Sequence, residues 1–220
     1  MGMGKLMIAG TVTLALSGCG AGEPLAQRAQ TVEPQQQSEQ SEPADISGPT
    51  PTNIEDALFT LDAMPVGWSE QAPTKSKGDS FFCDQSLPDS SSPIDSAVAQ
   101  FAADPVLGPT VGHVVTSYEP GEASERLRSM VDILNTCSSF RDSKLKFTPQ
   151  ALAFGTVGDE STAVRYLVEN NLGLQFTMDQ VFWRQGDVAS LILYAAGSPD
   201  IKALQKYVRK ADAKLQKLYQ

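Results

Sequence analysis

Four extended segments follow one another through short breaks between residues 145 and 195, and no other feature restricts the fold of this chain as much. They cover residues 145–154, 161–169, 173–184 and 188–195. Between the last two, RQGD (184–187) places Gly186 where a two-residue hairpin turn needs positive φ. Strands joined by such short turns pair antiparallel with their chain neighbours, so the second half of the chain predicts a meander.

Ahead of it, TVGHVVTSYE (110–119) alternates around Val114, Thr116 and Tyr118 and reads as a strand. Residues 96–102 suit either a helix or a strand, and the strand reading is favoured because 110–119 can pair with it. The segment 66–69 reads as extended, pairing around residues 81–84. Three helices are expected. Residues 53–64 offer Asn53 as N-cap, with Ile54, Ala57, Leu58 and Leu61 on one face. Residues 121–137 put Ala123, Leu127, Met130, Val131, Leu134 and Cys137 on one stripe. The closing stretch has Ser198 as N-cap and Pro199 at the first helical position, and Ile201, Leu204, Val208, Ala211, Leu215 and Leu218 form a narrow apolar seam. The fold class that follows is α+β: an antiparallel sheet of about five to seven strands with helices packed on one face, the central and C-terminal helices sharing it.

The 52 residues before this domain read differently. One lysine, Lys5, precedes an apolar run of eleven residues, 6–16, whose helix would rise about 16 Å against a hydrocarbon core of roughly 30 Å. That length fits the h-region of a signal peptide and is too short for a span. Leu16-Ser17-Gly18-Cys19 comes directly after, and the motif resembles the lipobox of bacterial lipoproteins. The resemblance implies cleavage before Cys19 and acylation of that residue. More than one acyl chain is needed for lasting retention, and a lipobox cysteine carries two or three. Residues 20–52 are rich in Gln, Pro and Ser and have no aromatic side chain, so they cannot bury enough surface to offset their ordering entropy. Five acids and one base give residues 19–52 a net charge of −4. The expected organisation is a signal peptide at 1–18, a lipidated cysteine and disordered acidic tether at 19–52, and one domain at 53–220.

Three cysteines are present, and the anchor accounts for Cys19. Outside the cytoplasmic membrane an oxidising setting favours pairing of the other two, Cys83 and Cys137. A reactive dithiol would prefer the absent C-x-x-C spacing. Closing a loop of about 55 residues stabilises a fold by roughly 4 kcal/mol on the chain-entropy estimate.

Order and motifs of the domain resemble the exported sensor-like domain of actinobacterial lipoproteins and mycobacterial receptor kinases. The residues that carry this are MPVGWS (64–69), LNTCSSF (134–140), GDES (158–161) and VFWRQGDVASLIL (181–193). The resemblance implies an antiparallel sheet with flanking helices, a cleft that receives a ligand, and no enzymatic activity. Unlike the kinases, this chain has no transmembrane helix or kinase domain, and one cysteine pair replaces two.

The chemistry-bearing residues are few. His113 is the sole histidine, which leaves no spare parts for a His-rich metal site or a Ser-His-Asp triad, and it reads as a satisfied or surface strand residue. Asp159 and Glu160 are neighbours in GDES, and a polar turn accounts for them better than an acid-base pair. No catalytic residue, metal or cofactor is expected. A net charge of −9 and pI near 4.6 set nucleic acid aside as a partner. Lys202, Lys206, Arg209, Lys210, Lys214 and Lys217 give the last helix a basic face, read as a solvated surface, with anionic lipid or an acidic polymer as the alternative. Phe82 and Trp183 are the candidates to line a cleft for a small apolar or amphipathic ligand. The function expected is a non-enzymatic ligand-binding or sensor-like domain, lipid-anchored through Cys19 on the outer face of the cell membrane. The alternatives are a structural envelope lipoprotein that docks on a partner protein, favoured by a flat apolar patch, and an envelope hydrolase.

Overall fold

The computed structural model describes residues 53–72, 81–83, 85, 86, 93–104, 108–142 and 144–220, with residues 81, 82, 85 and 86 described through their backbone alone. The signal segment, Cys19 and the tether lie outside these residues.

An eight-stranded antiparallel sheet forms the centre, in the order β1-β4-β5-β10-β9-β8-β7-β6. Its strands are β1 (Ser69–Gln71), β4 (Asp95–Ala102), β5 (Thr110–Ser117), β6 (Phe140–Asp142), β7 (Leu145–Ala151), β8 (Glu160–Asn170), β9 (Gln175–Gln185) and β10 (Val188–Ala196). β2 (Phe81–Phe82) and β3 (Gln85–Ser86) make a separate small hairpin. The meander runs from β6 to β10, and β10 then pairs with β5, Ile192 opposite His113, which joins the two halves of the chain in one sheet. Residues 96–102 are strand, as favoured. The count exceeds seven because β6, an edge strand of three residues, is too short to show a period of two.

Pairing and capping differ from the expectation in two places. β1 pairs with β4, Ser69 opposite Ala102, and not with residues 81–84. The last helix, α2 (Ile201–Lys217), is capped by Asp200, whose Oδ1 accepts the Ala203 N–H at 3.0 Å, two residues later than the Ser198 cap expected.

The helices do not share a face. On one side Ala99, Phe101, Val111, Val115, Val181, Trp183 and Ile192 pack under Leu204, Val208, Ala211 and Leu215 of α2. On the other, Val164, Tyr166, Val168 and Phe182 pack under Leu127 and Met130 of α1 (Glu122–Thr136). The reason is visible in β9: successive strand residues point to opposite faces, and both Phe182 and Trp183 are buried, so each face needs a cover. α1 meets that need on the chain's way from β5 to β6 at the far edge. Its buried stripe is Ala123, Leu127, Met130 and Ile133, whereas Val131, Leu134 and Cys137 are half-buried at its border.

The first expected helix is two short 3₁₀ turns, Ile54–Ala57 and Leu61–Ala63. Asn53 does not cap; its side-chain amide donates to Asp56 Oδ2 at 3.0 Å. Leu58 is extended, and the next amide, Phe59 N–H, leaves the helical pattern to meet His113 Nδ1 at 3.2 Å.

Candidate functional site

His113 lies in the middle of β5 and is fully buried. Its Nδ1 accepts the Phe59 N–H, so the ring's proton is on Nε2, which donates to Ser190 Oγ on β10 at 3.1 Å. Burial lowers its pKa from 6.5 to about 3, with the Lys214 charge adding in the same direction. The ring stacks on Trp183 at 6.5 Å and sits 4.6 Å from Phe59. A base that activated Ser190 would have to accept from its hydroxyl, and this imidazole donates to it. The pair therefore fastens the Phe59 segment to the sheet.

GDES is a structural clamp. Gly158 has φ +58, and a Cβ there would lie 2.3 Å from Arg184 O. Asp159 Oδ2 accepts the Gly186 N–H at 2.7 Å and Oδ1 accepts from Gln185 Nε2 at 3.1 Å, closing the β9–β10 turn. Glu160 Oε2 accepts from Arg184 Nε at 3.1 Å and from Ser124 Oγ at 3.1 Å, which ties α1 to β8 and β9. Tyr219 completes the corner by donating to Gln185 O at 2.5 Å. The two carboxylates are thus occupied by a turn, an arginine and a serine. Among the described residues no cluster of His, Cys, Asp and Glu is arranged to hold a metal ion.

Cys83 and Cys137 form a disulfide across 54 positions of sequence, joining the β2–β3 hairpin to the end of α1. Cys83 sits at the hairpin's tip with φ +57, the left-handed conformation of a tight turn.

Of the two cleft residues, the Phe82 side chain lies outside the described residues. Trp183 is 1% exposed, beneath α2, and lines neither of the two cavities described below. Its indole N–H and Asp212 Oδ1 are both buried without a hydrogen-bond partner, and burial raises the pKa of the Asp212 carboxyl. One cavity, of about 140 Å³, lies between Val131, Leu134 and Asn135 of α1 and residues 149–151 and 162–164. The other, of about 230 Å³, is lined by Leu152, Phe154, Gly155, Ser161, Thr162, Ala163 and Val181. Each is smaller than the roughly 300–1,000 Å³ that drug-sized ligands occupy.

Two features were missed in the sequence. Arg165 Nε and Nη2 meet Asp179 Oδ1 and Oδ2, each at 2.6 Å, in a two-pronged pair across β8 and β9 that raises the arginine's pKa further. Both residues are seven positions from Leu172, so the centre of the hairpin would have revealed the pair. The second feature is the hairpin's turn. Asn170 Oδ1 accepts the N–H groups of Leu172 and Leu174 at 2.9 and 3.0 Å, and Asn170 N donates to Leu174 O at 3.0 Å. This fixed turn presents Leu172 at 78% and Leu174 at 64% exposure, with Leu167 at 42% nearby. A polar "NN" ahead of two leucines is the only sequence signal, and the strand reading of 173–184 absorbed it.

Neither a protein-family model nor a curated sequence matches the chain. Among solved structures it is similar to the extracellular domain of PknH from Mycobacterium tuberculosis, at 12% identity and a TM-score of 0.45. That match covers 56% of this chain and 64% of the other, less than two thirds of its length. No described helix is long and apolar enough to cross a membrane.

Proposed function

We propose that this is a lipid-anchored, extracytoplasmic binding domain of the cell envelope, without catalysis of its own, that docks on a partner protein through its surface. The exposed Leu172 and Leu174, held on an Asn170-locked turn at the end of the longest hairpin, carry the docking part of this reading. Large apolar side chains fixed in water at a rigid tip favour an interface. The Leu16-Ser17-Gly18-Cys19 motif supports the anchor, and a disulfide between the two remaining cysteines suits an oxidising compartment. The His113–Ser190 hydrogen bond, which runs from imidazole to hydroxyl, supports the non-enzymatic part. The ligand-binding alternative has the 230 Å³ cavity beside β8, below the range that drug-sized ligands occupy.

Two measurements test the reading separately. Cys19→Ala should move the protein from the membrane fraction to the medium or the precursor pool, and continued processing with membrane retention would sink the anchor. A photoreactive side chain at position 167 should give a discrete cross-linked adduct in intact cells that disappears when Leu172 and Leu174 are both changed to Ser. An adduct indifferent to that change, or no adduct, would sink the docking surface.

A further inference from the structure

The outward side of α2 is basic along its whole length. At 100° per residue, the buried Leu204, Tyr207, Val208, Ala211 and Leu215 define one side of the helix. The opposite, exposed side holds Lys202, Lys206, Arg209, Lys210, Ala213, Gln216 and Lys217. No carboxylate lies on it: Asp212 is half-buried beside Trp183, and Asp200 is occupied as the N-cap. Among the described residues, Lys202, Lys206, Arg209 and Lys217 take part in none of the ion pairs. Lys202 and Lys217 lie fifteen positions apart, about 22 Å of helix. In a chain of net charge −9 such a stripe is a strong local reversal of sign.

The chain also enters the domain beside this helix. Lys214 Nζ donates to the carbonyls of Asp56 and Leu58, and Lys210 Nζ donates to Ala63 O at 3.0 Å, so the first described residues run along one flank of α2. Asp56 and Asp62 sit on that flank, next to Lys214.

We propose that the Lys202, Lys206, Arg209 and Lys217 stripe is a docking face for the anionic phospholipid surface to which the protein is anchored, an inference that rests on the lipoprotein reading. The occupant follows from charge complementarity: four bases outside the ion pairs, on a chain of net charge −9, match an anionic surface. α2 then lies flat against the headgroups, and α1, on the other face of the sheet, looks away from the membrane. The stripe sets orientation, which an acyl anchor on a long tether does not fix.

The test uses the mature chain, residues 19–220, with Cys19→Ala so that no acyl chain contributes, sedimented with vesicles of phosphatidylcholine alone or with 30% phosphatidylglycerol. The expected result is binding to the anionic vesicles only, lost in high salt. Each base near such a surface is worth roughly fivefold, so changing all four bases to Gln should weaken binding by about a hundredfold or more. The Arg141→Gln, Lys144→Gln variant, which removes exposed bases outside α2, should bind as the parent does. Equal binding to both vesicle types, binding unaffected by the four changes, or an equal loss in the Arg141→Gln, Lys144→Gln variant would overturn the proposal. Cell fractionation of Cys19→Ala reports on the anchor independently, so the two failures are distinguishable.

Discussion

Phe59 and His113, 54 positions apart, are joined twice: by the Phe59 N–H to Nδ1 bond at 3.2 Å and by ring centroids 4.6 Å apart. The bond needs a neutral imidazole, because a protonated Nδ1 has no lone pair to offer. With a folded pKa of about 3 against 6.5 in the unfolded chain, the unfolded state binds the proton first as pH falls. His113 thus contributes stability that is complete above 6.5 and declines toward 3. Urea unfolding at pH 7 and pH 5 should show a loss of about 2 kcal/mol that is missing from His113→Gln. Equal pH slopes for the two proteins would contradict the buried, neutral histidine.

Reduction of the Cys83–Cys137 bond should lower stability by roughly 4 kcal/mol, since it releases a 54-residue separation in the unfolded chain. Cys83→Ala and Cys137→Ala should match each other and the reduced parent. Free thiols at both positions in freshly exported protein would refute the pairing.

Gly158→Ala places a methyl group 2.3 Å from a backbone carbonyl at φ +58, and neither can move without opening the Asp159 clamp. A loss of roughly 2–4 kcal/mol in urea unfolding is expected. Gly155→Ala, with nothing within 4 Å of its Cβ, should be nearly neutral.

On α2 the two sides should answer differently. Leu204→Ala or Leu215→Ala, both fully buried, should cost about 2–5 kcal/mol. Lys206→Gln should stay within about 0.5 kcal/mol. Lys214→Gln should lose about 1 kcal/mol through its bonds to Leu58 and Asp56, and Lys210→Gln part of that through Ala63 O. Thermal melts of the three lysine variants decide whether these lysines are solvated or structural.

The sequence by itself determined what depends on near neighbours. The strands from 145 to 195, the strand at 110–119, the Gly186 turn and the last helix are written in periods of two and of three to four, and in residues whose backbone freedom is local. The use of Cys83 and Cys137 followed from their number and setting. Tertiary structure decided what depends on distant partners. The segment 53–64 has a helical pattern, yet His113 takes the Phe59 amide and a second 3₁₀ turn replaces the helix. Phe182 and Trp183 are adjacent and both apolar, which fixes that β9 has two buried faces but not which helix covers each. Trp183 lines no cleft because α2 lies over it. Arg165 with Asp179, and Glu160 with Ser124 and Arg184, are pairings of register and of helix placement, and a charge in one dimension does not name its counter-charge in three.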